Sequence, residues 1–348
     1  MTKSGEGKGR RFSPGRQTGA LIVLALLALP LAGVSLAEPS PAATPAYSPE
    51  GRPLRKVATL LLTWHDPARD RDVPVKIYYP ADARSPCPMI IFSHGLGGSR
   101  EGYGYLGERW AGGGYISVHL QHIGSDDAVW RGAGLDGYAQ LTRAVADPRN
   151  ALNRAADVSF AIDRMLSLNH QAGFPLRGLV NETQIGMAGH SFGAWTTLAV
   201  VGEKTAAAHT LADSRIKAAI AMSAPVPGGA EAAKGEFDSI AVPVFHMTGT
   251  RDNSPIGETK APDRRIPFDQ STTPGSCLLI LDGADHMTFS GHIFGAFRQE
   301  DARYQALIVA GSVAFWDATL RGDQAARAWL YNGGFATLLG KQGTFETR

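Results

Sequence analysis

Residues 186–196, "GMAGHSFGAWT", place Ser191 two residues after Gly189 and two residues before Gly193. An apolar segment, "QIGMAG", precedes the serine, and helix-forming "AWTTLAVVGE" follows it. Strand, tight turn and helix in this order are the setting of a nucleophile elbow, which strains the serine backbone and exposes its Oγ. Glycine suits the two flanking positions because side chains there would crowd each other. The pattern alone can arise by chance in a chain with 41 glycines, but this setting predicts that Ser191 is a nucleophile.

A serine nucleophile needs a base and an orienting acid, and in this kind of fold they follow in the order Ser, Asp, His. Asp252 comes just after the apolar segment "VPVFHMTGT", and His286 comes at the end of "CLLILDGADH". The carboxyl ends of parallel strands meet at one edge of a sheet. We therefore predict Asp252 as the acid and His286 as the base.

Other acids and bases lie nearby in sequence. Asp282 and Asp285 share the loop of His286, and Asp263 lies deep in the loop after Asp252. Asp285 directly precedes the histidine, so its side chain is expected to point elsewhere. The alternative base is His292, which lies further from its strand. Five earlier histidines are expected to be structural, with His122 alternatively lining the pocket: His94, His119, His122, His190 and His246.

Attack on a carbonyl creates an oxyanion, which requires preorganised hydrogen-bond donors. The backbone N–H of Phe192, just after the nucleophile, is the first expected donor. The second is the backbone N–H of Leu96, in the glycine-rich "SHGLGG" that follows an apolar strand. A plain glycine turn is the alternative interpretation. The glycine-rich segment lies one strand-helix-strand unit before Ser191, and this position favours an oxyanion hole formed by Leu96 and Phe192.

Strand-like and helix-like segments alternate along the chain. Residues 57–64 and 73–79 predict an antiparallel pair, and "PMIIFSHG" predicts a strand buried on both faces. Residues 149–168 and 302–320 predict long helices. This alternation predicts one α/β domain, residues 55–348, with a mostly parallel central sheet flanked by helices.

The connections between strands indicate an open site. Only sixteen residues separate Pro225 from Val242, too few for the large helical cap of many lipases. The longer connection, residues 121–149, is expected to shape the pocket, with Trp130 and Tyr138 on it. Four apolar residues near the predicted triad are candidates for the pocket wall: Phe192, Trp195, Met287 and Phe289. Without a cap, little apolar surface remains for a long acyl chain, so a short-acyl substrate is expected.

The first 37 residues have the pattern of an export signal. A basic start precedes an apolar run of thirteen residues, 20–32, and Ser35-Leu36-Ala37 offers a cleavage site before Glu38. An uncleaved anchor is the alternative, and the export route, general or twin-arginine, stays open. Residues 38–54 are rich in proline and predict a flexible leader. The mature protein is expected to be periplasmic or secreted.

Removal of residues 1–37, which hold five basic residues and one acidic residue, changes the formal net charge from +2 to −2. No basic stripe then remains for nucleic acid or an anionic membrane. The sequence shows no metal-ligand cluster, phosphate loop or dinucleotide fingerprint, so we expect no metal and no cofactor. Cys87 and Cys277 precede strands that should lie several positions apart, so two separate thiols are expected.

The motifs "SHGLGG", "GHSFG", "GTRD" and "GADHMTF", in this order, resemble those of α/β-hydrolases. They are similar to the predicted dienelactone hydrolases and the platelet-activating-factor acetylhydrolase-like esterases. The resemblance runs from about residue 57 to the C-terminal "AFWDATLRGDQAARAWL". It implies Ser191, Asp252 and His286 as the triad, with Leu96 and Phe192 as oxyanion donors. True dienelactone hydrolases carry cysteine in the elbow, so Ser191 does not imply dienelactone chemistry.

These features predict an exported serine hydrolase that cleaves carboxylic esters through an acyl-enzyme, acting on a small ester or lipid-like molecule. Two alternatives remain at this point. Amide and thioester hydrolysis use the same machinery, and the motifs do not distinguish the three bonds. A catalytically silent α/β-hydrolase that serves as a binding module is the other alternative, which the complete set of motifs disfavours.

Overall fold

The computed structural model describes residues 47–205, 210–290 and 299–348. The predicted signal peptide, residues 38–46 of the predicted leader and the alternative base His292 lie outside these ranges. Among the described residues, no helix combines the length and the apolar character that crossing a bilayer requires.

A nine-stranded sheet, with strands in the order β1-β2-β4-β3-β5-β6-β7-β8-β9, lies at the centre of the described chain. The strands from β3 to β8 run parallel, whereas β1, β2 and β9 are antiparallel to their neighbours. The strands are β1 (Val57–Asp66), β2 (Arg71–Pro80), β3 (Cys87–Ser93), β4 (Ile116–Leu120), β5 (Val180–His190), β6 (Ile216–Met222), β7 (Val244–Arg251), β8 (Cys277–Asp285) and β9 (Gly343–Thr347). The predicted α/β-hydrolase fold is confirmed.

Helices cover both faces of the sheet. Asp147 caps the longest of them by accepting a hydrogen bond from the Arg149 N–H, with Pro148 at its first position. The helices are α1 (Gly104–Gly112), α2 (Gly137–Ala146), α3 (Pro148–His170), α4 (Phe192–Ala199), α5 (Gly229–Ala232), α6 (Ile266–Gln270), α7 (Gln299–Thr319), α8 (Gln324–Tyr331) and α9 (Gly334–Leu339). Four 3-10 helices span Asp127–Val129, Gly134–Asp136, Ala261–Arg265 and His286–Ser290.

Two apolar cores flank the sheet because successive side chains of a strand point to opposite faces. In β3, Met89 and Ile91 belong to the core beneath α3 and α4. Ile90 and Phe92 belong to the core beneath α1, α7, α8 and α9. All seven residues of β3 are buried, which confirms the strand predicted to be covered on both faces.

The sequence pattern predicts the helices α3, α4 and α7, but not α1, α2, α5, α6, α8, α9 or the strand β9. The last strand, "GTFET", is short and half polar, so its pattern is weak. It forms because the exposed edge of β8 offers it a full antiparallel register, from Cys277 opposite Thr347 to Leu281 opposite Gly343. Pairing at an existing sheet edge, rather than local propensity, determines this element.

The described end of the predicted leader, residues 47–54, contacts the domain. Tyr47 donates a hydrogen bond to the buried carboxylate of Asp317, at 2.8 Å, and Arg52 pairs with the same carboxylate at 3.0 Å. Arg109 donates to the carbonyl of Pro49 at 2.6 Å. Proline-rich composition predicted a flexible segment, but these polar contacts tie residues 47–52 to α1 and α7.

Both cysteines are free thiols, as predicted. Cys87 begins β3 and Cys277 begins β8, and three strands lie between them in the sheet. Burial raises the pKa of each thiol, so both sulfurs stay protonated and unreactive at neutral pH.

Five histidines are buried, as expected for structural residues: His94, His119, His122, His190 and His246. Burial lowers the pKa of all five, to about 3 for His119 and His246 and to about 4 for His122. The folded protein therefore holds them neutral, whereas the unfolded chain protonates them near pH 6.5. Their stabilisation is complete above that pH and is lost as the pH falls towards the folded-state values.

This linkage predicts acid destabilisation. Between about pH 7.5 and about pH 5, these histidines should lower the free energy of unfolding, by at most about 2 kcal/mol for each one that stays neutral in the folded protein. Urea unfolding at the two pH values measures the sum. Substitution of His246 by Gln should reduce the change in unfolding free energy between the two pH values by about the contribution of one histidine. A stability that is the same at both pH values would contradict the neutral, buried state of these side chains.

Candidate active site

Ser191 occupies the sharp turn between β5 and α4. Its backbone has φ 56° and ψ −119°, a conformation that residues with side chains rarely adopt. A Cβ placed on Gly189 would collide with the backbone carbonyl of Gly193, and one on Gly193 would collide with the carbonyl of Ser93. Both glycines are therefore a steric requirement of this turn. Crowding between the two flanking positions explains Gly189, as expected from the sequence, whereas Gly193 is required by the neighbouring strand β3.

The structure brings three of the predicted site residues together at the carboxyl edge of the sheet. Ser191 Oγ lies 2.9 Å from His286 Nε2, and His286 Nδ1 lies 2.7 Å from Asp252 Oδ1. These two hydrogen bonds form the geometry that a Ser-His-Asp triad uses. Their catalytic role stays a prediction.

The competing carboxylates make other contacts. Asp285 Oδ1 accepts the N–H groups of Met287 and Thr288, which closes the turn after β8. Asp282 accepts a hydrogen bond from Thr250, and Asp263 accepts one from the N–H of Lys260. In the described chain, the acid hydrogen-bonded to His286 is Asp252.

Asp252 is fully buried and is held by two further residues. Thr248 Oγ1 donates to Oδ2 at 2.8 Å, and Arg264 Nε lies 3.0 Å from Oδ1. Arg264 also donates to the backbone carbonyls of Asp252, Ser223 and Ala224, at 2.7–2.9 Å. It thus joins the loops that follow β6 and β7. Arg264 could not be predicted from the sequence because no motif or spacing marks it.

The contacts of His286 Nδ1 identify its tautomer. This nitrogen lies 2.7 Å from the Asp252 carboxylate and 3.2 Å from Arg264 Nη2, which is only a donor. The shorter contact is to the carboxylate, so Nδ1 carries the proton and donates a hydrogen bond to Asp252. Nε2 is then an acceptor, and it faces the hydroxyl of Ser191. This is the tautomer that a general base requires.

The loop after β3, residues 94–98, lies beside the elbow, and we call it the β3 loop. The N–H of Gly95 donates to Tyr103 Oη, and the N–H of Gly97 donates to the carbonyl of Ser125. Gly97 has φ 72°, which suits glycine. Leu96 lies between these two fixed residues. Phe192, the other predicted donor, is the first residue of α4, where helix N–H groups have no intrahelical acceptor.

His190 links the β3 loop to the loop of His286. Its Nε2 donates to the carbonyl of His286 at 3.0 Å, so its Nδ1 accepts from Tyr103 Oη at 2.8 Å. Tyr103 in turn accepts the N–H of Gly95. The predicted structural role of His190 is therefore confirmed, and it holds two loops of the site at a fixed separation.

An apolar cavity of about 420 Å³ opens above Ser191. Helix α2 contributes Tyr138, Leu141 and Val145 to its wall, which confirms that the connection 121–149 shapes the pocket. Trp130 is not among the lining residues; it packs against the β3 loop and donates its indole N–H to the carbonyl of Gly97 at 2.8 Å. The apolar lining includes Leu96, Leu141, Val145, Phe192, Ile256 and Met287.

The remaining candidates for the pocket lie elsewhere. Phe289 is fully buried in the core beneath α7. Trp195 packs against Phe192, with ring centroids 5.8 Å apart. His122 is buried between Ser93 and Asp157, so it is not a lining residue. Within the described ranges, no group of three or more His, Cys, Asp or Glu side chains is arranged to hold a metal ion.

Residues 61–130 match the family model described as platelet-activating factor acetylhydrolase, isoform II. The matched segment runs from within β1 to just past the first 3-10 helix and includes the β3 loop, but it ends before Ser191, Asp252 and His286. No curated protein matches the chain. The sheet topology is that of the α/β-hydrolase fold, and over residues 61–130 the chain resembles the platelet-activating factor acetylhydrolase family.

Proposed function

We propose that the chain is a serine esterase that hydrolyses small, uncharged carboxylic esters, with Ser191 as nucleophile, His286 as base and Asp252 as orienting acid. The observation that carries the proposal is the continuous chain of hydrogen bonds from Ser191 through His286 to Asp252, at the floor of an apolar cavity. The similarity to an acetylhydrolase family over residues 61–130 supports an ester as the substrate class.

In the first half-reaction, His286 Nε2 takes the hydroxyl proton as Ser191 Oγ attacks the ester carbonyl. The carbonyl oxygen becomes an oxyanion, and the imidazolium that forms is balanced by the Asp252 carboxylate. The intermediate collapses, the C–O bond to the alcohol breaks, and His286 returns its proton to the leaving alcohol. In the second half-reaction water attacks the acyl-enzyme by the same route, which releases the acid and restores Ser191.

The backbone N–H groups of Leu96 and Phe192 are the proposed donors to the oxyanion. Both residues line the cavity that contains Ser191. A Cβ placed on Gly95, next to Leu96, would lie 3.4 Å from the Cβ of Ser191, so the β3 loop runs directly beside the nucleophile. Two donors of this kind each contribute ~10²–10³ in rate in serine hydrolases.

The cavity supports an uncharged substrate. Among its described lining residues, no side chain is an Asp, Glu, Lys or Arg. Arg264 and Asp252 lie behind the histidine, where they neutralise each other. A charged group would lose its hydration in this cavity without gaining a partner, which is strongly unfavourable.

The connection between β6 and β7 supports a short acyl chain, because the sixteen residues between Pro225 and Val242 are too few for the helical cap that covers long acyl chains in many lipases. The acyl and alcohol parts of the ester share one cavity of about 420 Å³.

Export to the periplasm or the cell exterior is part of the proposal. It rests on the basic start, the apolar run and the small residues 35–37 of the first segment of the chain. The proposed mature enzyme begins at Glu38 and consists of the leader, residues 38–54, and the domain of residues 55–348.

A series of p-nitrophenyl esters, from two to sixteen acyl carbons, tests the proposal. We expect kcat/KM to be highest from acetyl to butyryl and to fall for longer chains, because the extra carbons leave the cavity and gain no burial energy. We also expect no jump in rate when the substrate forms micelles. A continuous rise towards the longest chains would contradict the short-acyl preference, and no hydrolysis of any ester would contradict the esterase itself.

A further inference from the structure

Arg154, on α3, is fully buried directly behind the β3 loop. Its Nη1 donates to the carbonyl of His94 at 2.7 Å, and its Nη2 lies 3.4 Å from the carbonyl of Gly95. Its Nε donates to Ser125 Oγ at 2.9 Å. Ser125 is itself part of the support, because its carbonyl accepts the N–H of Gly97. Most donors of this guanidinium therefore serve one short loop.

This cation is buried without a direct ion pair, although the nearby carboxylates of Asp157 and Asp126 favour its charge. In the described part of the chain, no carboxylate lies within ion-pair distance of Arg154, whereas the neighbouring Asp157 pairs with Arg69, Arg71 and His122. Burial lowers the pKa of Arg154 to about 9, so it is still a cation at neutral pH. Burying an unpaired charge costs several kcal/mol, and packing alone does not explain a guanidinium here.

His94, which is part of the β3 loop, also contacts the carbonyl of Gly95. Its Nε2 accepts the N–H of His122 at 3.0 Å, so the proton lies on Nδ1, which donates to the carbonyl of Gly95 at 2.6 Å. Burial and the positive charge of Arg154 lower the pKa of His94, which keeps this tautomer neutral. The carbonyl of Gly95 also accepts the N–H of Gly98 at 3.1 Å.

These contacts determine where the N–H of Leu96 points. The carbonyl of Gly95 and the N–H of Leu96 belong to one planar trans peptide, so they point in opposite directions. With the carbonyl held towards Arg154 and His94, the N–H of Leu96 must point away from them. Gly95 and Leu96 both line the cavity that holds Ser191. On its other side, the Arg154 guanidinium lies 4.3 Å from the ring centroid of Phe192, the second proposed donor.

We propose that Arg154 is a positioning residue for the oxyanion site: its buried positive charge holds the His94 and Gly95 carbonyls so that the N–H of Leu96 faces the reacting carbonyl. A cation on the carbonyl side also polarises the peptide, which makes its N–H a stronger donor. This inference rests on the proposed esterase function. It assigns a role to a residue that touches neither the substrate nor the triad.

Arg154→Met should lower kcat on p-nitrophenyl butyrate by ~10²–10³, the cost of losing one oxyanion donor, with KM changed little. Arg154→Lys keeps the charge but loses the fork that serves several acceptors, so its kcat should fall less. An alkylboronic acid, whose tetrahedral adduct on serine places an oxygen in the oxyanion site, should lose affinity in step with kcat. Thermal unfolding of each variant shows whether the fold is retained.

Arg71→Met is the matched control, because Arg71 pairs with Asp157 in the same buried network but does not contact the β3 loop. Its kcat and boronate affinity should stay close to those of the unaltered enzyme. An equal loss in Arg71→Met, or unchanged kcat and boronate affinity in a folded Arg154→Met or Arg154→Lys variant, would overturn the positioning role. If Arg154→Met does not fold, the Lys variant alone decides between these outcomes.

Failure of the underlying function is a separate result. A labelled fluorophosphonate should modify the unaltered enzyme at Ser191. If it does not, and no ester is hydrolysed, the proposed esterase is wrong and the role of Arg154 in it falls as well. If labelling and hydrolysis are present and only the Arg154 effects are missing, the esterase stands and this inference alone fails.

Discussion

Ser191→Ala is expected to lower kcat on p-nitrophenyl butyrate by a factor on the order of 10⁴ or more. The three residues act as a unit, so removal of the nucleophile removes the covalent route altogether and leaves only the weak catalysis of the oxyanion site. The substitution deletes a single oxygen that is hydrogen-bonded to His286, at a half-buried residue in a turn. We therefore expect the thermal unfolding of the variant to match that of the parent.

Ser290→Ala is the matched control, since Ser290 also lines the cavity and its Oγ donates to the backbone carbonyl of Met287. Its kcat should stay within a few-fold of the parent. The fluorophosphonate should label the parent and the Ser290 variant but not the Ser191 variant. Substantial turnover by a folded Ser191→Ala protein would show that the elbow serine is not the nucleophile.

The elbow could be predicted from the sequence because its glycines stand at a fixed spacing from the serine. A serine at φ 56° needs glycine two residues before and two residues after it, and the collisions that enforce this involve atoms of the same turn or of the adjoining strand. The positions of Asp252 and His286 followed from topology rather than from spacing. Once the strands are known to be parallel, residues just after their carboxyl ends must share one edge.

Neither the motif spacing nor the order of the strands could identify Arg154 and Arg264. Each reaches the site from a neighbouring helix, and each acts on backbone carbonyls that any residue offers. A sequence shows a buried arginine only as a charge among apolar residues, and it does not show which carbonyls lie opposite. The same limit applies to β9, whose pairing depends on an edge of β8 that exists only in the folded sheet.

Asp252→Asn is expected to lower kcat by about 10⁴, because the amide NH₂ favours the His286 tautomer that cannot accept the serine proton. The surroundings of Asp252 add a second effect. Thr248 and Arg264 both donate to the carboxylate; an amide nitrogen at the Oδ1 position would meet the donor Arg264, whereas at the Oδ2 position it would meet the Thr248 hydroxyl, which can rotate and accept. Asparagine therefore also leaves the buried Arg264 without its counterion, a loss that costs about 3–5 kcal/mol when a buried pair is broken.

The two effects separate by measurement. The unfolding free energy reports the loss of the ion pair, whereas kcat of the folded protein reports the tautomer, and both should fall in Asp252→Asn. Asp285→Asn removes a carboxylate that caps the turn before Met287 and Thr288, so it should lower stability but affect kcat far less. Asp282→Asn, whose carboxylate accepts from Thr250, should affect kcat little. The acid assignment is wrong if Asp285→Asn lowers kcat more than Asp252→Asn does. Removal of the carboxylate that orients His286 must cause the larger loss of kcat.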